Sequence, residues 1–161
     1  MATGFSIRSV RAADDLAAVA ALLKAYVATL NIDLGYQDFS RELAGLPGKY
    51  APPGGELLLA RDAAGRPLGC VGLRSIPPDG CCEMKRLYLL PAARGLGLGK
   101  ALTEAVIRTA RALGYAELRL DTLPSMTTAR RLYDALGFER TGPYYAPTPD
   151  GTVFMRLKLR P

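Results

Sequence analysis

A glycine-rich segment in the middle of the chain combines residue types that could bind an anion. It reads Arg94-Gly95-Leu96-Gly97-Leu98-Gly99-Lys100. Glycines let the backbone approach a ligand closely, and the first amides of a helix lack intrahelical acceptors and lie at the positive end of the helix dipole. Because this segment separates a predicted strand from a predicted helix, it favours a cradle for phosphate oxygens. The alternative is a glycine-rich turn that binds no ligand.

Two familiar phosphate-binding motifs do not fit this segment. A Walker A loop would need glycine in place of Arg94 and serine or threonine in place of Ala101. A dinucleotide-binding fingerprint would need glycine in place of Lys100 or a small residue in place of Leu102, depending on which glycine begins it. The anion is therefore not assigned by either motif.

Hydrophobic periodicity predicts the elements that position this segment. Strands are predicted over residues 5–10, 56–61, 67–76, 81–90, 117–123, 138–141 and 153–159. Helices are predicted over residues 12–30, 37–46, 96–113 and 127–136. In the helix over 96–113, the apolar stripe is predicted to contain Leu98, Leu102, Ala105, Val106, Thr109 and Leu113. Turn signals at 62–65 and 77–80 join three consecutive strands into a meander.

The composition is that of one soluble globular domain, expected over residues 1–161. The chain has a net charge of +6, with 49% hydrophobic and 22% charged residues, which excludes collagen-like, disordered and coiled-coil classes. No apolar run reaches the ~18 residues of a membrane span. Basic residues form no run of five, so the charge does not favour a nucleic-acid partner. We expect a cytoplasmic protein with neither membrane nor nucleic acid as partner.

Histidine and cysteine usage excludes several chemistries. The chain has no histidine, so histidine bases, triads and metal ligands are ruled out. Its cysteines are Cys70, Cys81 and Cys82. An odd count with an adjacent pair predicts free thiols in a reducing compartment, and their spacing matches no metal site, so no metal is expected.

A second motif follows the glycine segment, in residues 129–138. It reads Ala-Arg-Arg-Leu-Tyr-Asp-Ala-Leu-Gly-Phe. With Arg94, Gly97 and Gly99 in a Gln/Arg-x-x-Gly-x-Gly/Ala loop, the sequence resembles the GNAT superfamily of acyl-CoA-dependent N-acyltransferases, whose second signature is Ala-x-x-Leu-Tyr-x-x-x-Gly-Phe. The resemblance covers nearly the whole chain. It implies an α/β (α+β) fold with a mixed, mostly antiparallel central sheet of six to seven strands flanked by about four helices.

The resemblance also implies acetyl-CoA as cofactor and a set of residues that contact it. The loop amides and Lys100 would hold the CoA pyrophosphate, and backbone groups of Leu87 and Leu89 would meet the thioester and the pantetheine arm. Many members carry an asparagine that contacts the arm where this chain has Met126, which departs from that pattern. The expected cofactor residues are Leu87, Tyr88, Leu89, Arg94, Gly95, Leu96, Gly97, Leu98, Gly99, Lys100, Met126 and Ala129.

Two residues are candidates for the proton transfers of acyl transfer. The resemblance implies that Glu83 is the general base and that the hydroxyl of Tyr133 protonates the departing sulfur. Glu83 could instead be a solvent-facing strand residue, and Tyr133 could be simple packing. Strict alternation would place Glu83 on one sheet face with Lys85, Leu87 and Leu89, but a β-bulge would change this, and a Lys85 partner would make Glu83 a weaker base.

The acceptor site is expected between the first helix and the second strand, and at a late loop. Its candidate residues are Tyr26, Asn31, Asp33, Tyr36, Lys85, Arg86, Tyr144 and Tyr145. The two cations suggest an acceptor that carries a carboxylate. The adjacent tyrosines resemble a substrate lid, although a dimer interface is an equally fair interpretation.

Three functional hypotheses remain from the sequence. The leading one is an N-acetyltransferase that moves an acetyl group to a primary amine of a small molecule by direct attack in a ternary complex, because no convincing nucleophile is present. The second is a non-catalytic CoA or acyl-CoA sensor of the same fold. The third, a charge-driven nucleic-acid binder, lacks a basic stripe and aromatic platforms. A homodimer is expected from base rates alone.

Overall fold

The computed structural model describes residues 4–29, 39–146 and 148–160. The described strands are β1 (Phe5–Ser9), β2 (Glu56–Asp62), β3 (Pro67–Ile76), β4 (Cys81–Leu89), β5 (Glu117–Thr122), β6 (Glu139–Thr141) and β7 (Val153–Lys158). The described α-helices are α1 (Ala13–Thr29), α2 (Phe39–Ala44), α3 (Leu98–Ala112) and α4 (Thr127–Ala135). Single 3₁₀ turns occupy Gly48–Tyr50 and Pro91–Ala93.

The seven strands form one twisted sheet in the order β1-β2-β3-β4-β5-β7-β6. All neighbours are antiparallel except β4 and β5, which run parallel. The predicted mixed, mostly antiparallel sheet with flanking helices is therefore confirmed. The parallel pair requires a crossover between its strands, which α3 provides.

Alternation along the strands sends apolar side chains to both faces of the sheet. On what we call the α3 face, Val71, Leu73 and Met84 pack with Leu102 and Val106 of α3. The opposite surface, the α1 face, holds Leu57, Leu59, Cys70 and Tyr88 against Val19, Leu22 and Leu23 of α1. Burial on both faces explains the continuous apolar runs at residues 57–60 of β2 and 68–73 of β3.

The prediction that Leu113 belongs to the apolar stripe of α3 is wrong. Leu113 is 43% exposed. The helix ends at Ala112, Leu113 is its C-cap, and Gly114 follows with φ +88°, so the chain turns away from the sheet. Ala110, which sequence analysis left out of the stripe, is buried in the core instead.

A β-bulge in β4 decides which face its side chains occupy. Cys70 opposes Tyr88 and Gly72 opposes Lys85, so two residues of β4, Arg86 and Leu87, oppose one residue of β3. Arg86 has φ +63°. The extra residue moves Leu87 to the α3 face with Leu89. The strict alternation considered from the sequence is therefore wrong beyond Lys85.

Buried thiols and phenols predict that the fold loses stability in alkaline solution. Burial raises the pKa of Cys70 and Cys82 to about 12, and it also raises the pKa of Tyr50 and Tyr133. Above pH ~8.5–10 the unfolded chain loses these protons while the folded chain keeps them. The unfolded state then binds fewer protons, so the free energy of unfolding falls by up to ~1.4 kcal/mol per pH unit for each group.

Urea unfolding between pH 7 and pH 11 measures this loss. Replacing Cys82 by alanine removes one titrating group and is expected to make the decline shallower, whatever the variant's stability at pH 7. A free energy of unfolding that stays constant to pH 11 would contradict the assignment of buried, protonated groups.

Candidate active site

A cleft opens where β4 and β5 separate. The two strands pair only from Cys81 with Glu117 to Glu83 with Arg119. Beyond that point their side chains face each other across a space of about 570 Å³, including the part open to solvent. The cleft is lined by Tyr26, Met84, Lys85, Arg86, Leu87, Leu120, Asp121, Thr122, Leu123, Met126 and Tyr133.

The glycine segment forms an exposed turn that leads into α3. Gly97 is the N-cap residue with φ +79°, and Gly95 has φ +82°, conformations that favour glycine. The first intrahelical bond runs from the amide of Ala101 to the carbonyl of Gly97. The amides before Ala101 therefore have no acceptor within the helix and lie at its positive end. This geometry fits a phosphate group.

Two cations flank the turn. Arg94 and Lys100 are exposed, and neither has an acidic side chain within 4.0 Å in the part of the chain that the structure describes. Leu96 is exposed, whereas Leu98 is buried in the core under the turn. The turn thus offers backbone amides and positive charge to solvent on a firmly packed base.

Tyr133 lies on the α3 face of the cleft. Its ring packs on Phe138 with centroids 5.6 Å apart, and the side chain is 5% exposed while lining the cleft. Burial, followed by the nearby Tyr26 and Asp121, raises the pKa of the phenol. Packing and function are therefore compatible, because the buried ring holds a protonated hydroxyl at the cleft. Met126 lines the same cleft, and Ala129 is half-buried against the core of the α3 face.

The α1 face of the cleft carries a three-membered polar cluster. Lys85 donates to Oδ1 of Asp121 at 3.1 Å and to the Tyr145 hydroxyl at 3.3 Å. Tyr145 donates to Oδ2 of Asp121 at 2.6 Å, and the Lys85 ammonium lies 4.9 Å from the Tyr145 ring centroid. Sequence analysis missed Asp121. The alternation of Leu118 and Leu120 with polar residues in β5 is the signal that could have found it.

Glu83 lies at the base of this cluster, wholly buried, so its interpretation as a solvent-facing residue is wrong. Arg74 donates to its Oε1 at 2.8 Å, and the Tyr144 hydroxyl donates to Oε2 at 2.6 Å. The Lys85 ammonium is 3.8 Å from Oε2. Glu83 is not among the residues that line the cleft. Lys85 therefore bridges a buried carboxylate and Asp121, the carboxylate at the cleft.

The late loop closes the α1 face through its two tyrosines. Both rings pack edge-on against Phe154 of β7, with centroids 5.2 Å away for Tyr144 and 5.6 Å for Tyr145. The Arg119 guanidinium lies 5.7 Å from the Tyr144 ring centroid. Each phenol binds a different carboxylate, so the two tyrosines tie this part of the loop to the polar cluster.

The remaining acceptor candidates are placed only in part. Arg86 makes two hydrogen bonds with Glu42 of α2, at 2.7 and 3.0 Å, and lies over the ring of Phe39. Tyr26 lines the cleft and packs on Tyr88. The other candidates, Asn31, Asp33 and Tyr36, lie outside the described residues.

Comparison with known proteins assigns the class. The pattern of the acetyltransferase (GNAT) family matches residues 20–138. The chain is 41% identical over 157 residues to the uncharacterized N-acetyltransferase C1271.07c of Schizosaccharomyces pombe, covering 98% of this chain and 96% of that one. It is 36% identical over 111 residues to an IAA acetyltransferase of Azospirillum brasilense, covering 68% and 71%. This chain belongs to the acetyltransferase (GNAT) family.

Solved structures agree with this membership. A Klebsiella pneumoniae protein assigned as an acyl-CoA N-acyltransferase matches with a TM-score of 0.73 and 28% identity over 99% of this chain and all of its own. A Salmonella typhimurium protein assigned as an acetyltransferase, solved with its cofactor acetyl-CoA, matches with a TM-score of 0.71 and 22% identity over 98% and 95%. The protein is an acetyl-CoA-dependent N-acetyltransferase, and the predicted class and cofactor are confirmed.

The residues of this chain fit acetyl-CoA. The turn that caps α3 has amides for phosphate, and a Cβ at Gly95 or Gly97 would meet no atom within 4 Å, so the backbone there is open to a ligand.

Among the described residues, no group of three or more acidic or cysteine side chains could hold a metal ion, and no helix is long and apolar enough to cross a membrane.

Replacing Gly97 by alanine is expected to weaken acetyl-CoA binding about tenfold. A left-handed conformation costs an L-residue roughly 1–2 kcal/mol. The turn is expected to avoid this strain by changing conformation, after which its amides no longer point toward the phosphate. Gly65→Ala is the matched control, because Gly65 has φ +84° and equally open surroundings in the turn between β2 and β3. Calorimetric titration should show normal affinity for Gly65→Ala. Equal affinities in both variants would contradict the role of the turn.

Proposed function

We propose that this enzyme moves the acetyl group of acetyl-CoA to the primary amine of a small molecule by direct attack in a ternary complex. The observation that carries the proposal is the two-faced cleft between β4 and β5. Its α3 face has the Tyr133 hydroxyl, and its α1 face has the Asp121 carboxylate. An amine held by Asp121 would meet the thioester where the two faces converge.

Direct attack is supported by the state of the cysteines. All three are free and buried, and none lines the cleft. Burial raises the pKa of Cys70 and Cys82 to about 12 and also raises that of Cys81. Since the thiolate is the nucleophilic form, these thiols are unsuited to carrying an acetyl group. The amine itself is then the nucleophile.

The proposed proton transfers balance within the site. The neutral amine's lone pair forms the bond to the acetyl carbon, and the carbon–sulfur bond breaks with its electron pair going to sulfur. Once bonded to that carbon, the nitrogen is acidic enough for the Asp121 carboxylate to accept a proton. Tyr133 gives its proton to sulfur and recovers one from Asp121, so one proton moves from nitrogen to sulfur overall.

Glu83, the predicted general base, is proposed to act through its neighbours. Its carboxylate has no direct line to the cleft, but it holds Arg74 and Tyr144 and lies 3.8 Å from Lys85. It would thereby fix the ammonium that orients Asp121. Asp121 is the carboxylate proposed to touch the amine.

The charges around the cleft support recognition of the amine alone. Lys85 and Arg74 face Glu83 and Asp121, while Arg86 faces Glu42. An acceptor carboxylate would have to displace one of these partners. We therefore propose amines without a carboxylate as acceptors, in place of the carboxylate-bearing acceptor favoured by the sequence.

We also propose a cytoplasmic location, which the free and buried cysteines support.

Thiol release from acetyl-CoA with a panel of acceptors tests this function. The panel contains alkylamines, polyamines, aminoglycosides, amino acids and lysine peptides. Release with alkylamines or polyamines that exceeds release with amino acids would support the proposal. Preference for amino acids would overturn the charge argument, and preference for lysine peptides would overturn the small-molecule acceptor.

A further inference from the structure

Thr122 has a buried hydroxyl without a protein partner. It is the last residue of β5, is 4% exposed and lines the cleft. Its Oγ1 has no hydrogen-bond partner among the residues that the structure describes. Buried polar groups are nearly always paired, so an unpaired hydroxyl in a ligand cleft indicates that the ligand supplies the partner.

The alternation of β5 places Thr122 on the α3 face. Leu118 and Leu120 belong to the core on that face, whereas Asp121 binds Lys85 on the α1 face. Thr122 shares the parity of the two leucines and not of Asp121. It therefore lies on the same side as the glycine turn and Tyr133, away from the proposed acceptor.

Few other polar side chains are available on this wall. The other cleft residues that belong to the core of this face are apolar, apart from Tyr133: Met84, Leu87 and Leu120. The thioether of Met126 is only a weak acceptor. Among the described residues that line the cleft and belong to this face, Thr122 and Tyr133 carry hydroxyls. If Tyr133 serves the sulfur, the Thr122 hydroxyl can bind an amide of the pantetheine arm.

We propose that Thr122 is a cofactor-positioning residue whose hydroxyl hydrogen-bonds an amide of the pantetheine arm of acetyl-CoA. A hydroxyl both donates and accepts, so either an amide N–H or an amide carbonyl can satisfy it. The proposal concerns cofactor binding and does not depend on the identity of the acceptor amine.

Thr122→Val tests the proposal, because valine keeps the shape and removes the hydroxyl. Acetyl-CoA should bind about fivefold to tenfold more weakly, the effect of one net hydrogen bond. The ligand-free variant should be at least as thermally stable as the wild type, since no protein hydrogen bond is lost. A structural role would instead lower stability.

One truncated ligand and two further variants locate the contact. Adenosine 3′-phosphate 5′-diphosphate, which lacks the pantetheine arm, should bind Thr122→Val and wild type equally. Thr122→Ser should bind acetyl-CoA within about twofold of wild type. Thr109→Val, which removes a hydroxyl already bonded to the Ala105 carbonyl, is the control with unchanged affinity. The proposal would be overturned if Thr122→Val bound acetyl-CoA as tightly as the wild type does. It would also be overturned if this variant bound acetyl-CoA and adenosine 3′-phosphate 5′-diphosphate more weakly by the same factor.

Discussion

Tyr133→Phe is expected to lower kcat about a hundredfold to a thousandfold and to leave acetyl-CoA affinity nearly unchanged. General acid catalysis contributes roughly 10²–10⁴ to rates, and the variant removes only the hydroxyl that would protonate the sulfur. The ring, which packs on Phe138, is retained. Steady-state kinetics and calorimetric titration of the same preparation measure the two quantities.

Tyr115→Phe is the matched control for Tyr133→Phe. Its hydroxyl donates to the carbonyl of Gly54, and Tyr115 is not among the residues that line the cleft. This variant should lose some stability but keep its kcat. A Tyr133→Phe enzyme with wild-type kcat would show that the thiolate leaves without this proton, and the role proposed for Tyr133 would be wrong.

Asp121→Asn is expected to have the second large effect, a fall in kcat/KM for the amine of about a hundredfold or more. Asparagine keeps the size and the hydrogen bond from Tyr145 but cannot accept the amine proton. Asp121 is the carboxylate that lines the cleft, whereas Glu83→Gln disturbs the site only through Lys85 and Tyr144. The fall in kcat/KM should therefore be larger for Asp121→Asn than for Glu83→Gln.

The size of the kinetic loss separates these two carboxylates. If Asp121 accepts the proton, Asp121→Asn lowers kcat/KM for the amine by a larger factor than Glu83→Gln, because Glu83 does not line the cleft. The opposite pattern would return the general base to Glu83, as the sequence predicted. Unfolding midpoints for both variants show whether the buried ion pairs have been weakened, which costs stability when one partner is lost.

Local sequence features predicted the backbone of the glycine turn. Three glycines before an apolar stripe predict both the turn and the start of α3, because a helix N-terminus and left-handed glycines depend on a few neighbouring residues. Helix ends were predicted less accurately. Periodicity alone placed Leu113 in the apolar stripe of α3, but Leu113 is the C-cap residue, where the backbone leaves the helix and the periodicity ends.

The α1 face of the cleft depends on pairing between distant segments, which periodicity does not reveal. Asp121 meets Lys85 only because β4 and β5 are neighbours in the sheet, and Glu42 meets Arg86 only because α2 packs beside β4. The bulge at Arg86 also reverses the facing of Leu87, so parity from Glu83 could not assign the two walls.

The divergence of one strand pair explains why the site lies at this point of the sheet. Pairing of β4 with β5 ends at Glu83, and the bulge that begins three residues later bends β4. Residues of the α3 face and polar groups of the α1 face therefore reach the same gap from opposite sides. Tyr133 and Asp121 lie on opposite faces of the cleft because of the alternation of the strands and the helix that packs behind them.

Direct attack by the amine is most directly tested by initial velocities measured while acetyl-CoA and the best amine are varied together. A ternary complex predicts double-reciprocal lines that intersect, and intact-mass measurement of enzyme with acetyl-CoA alone should show no added acetyl group. Parallel lines together with an acetylated enzyme would contradict direct attack, because they would require a side chain that carries the acetyl group covalently. The buried, protonated cysteines are unsuited to that role.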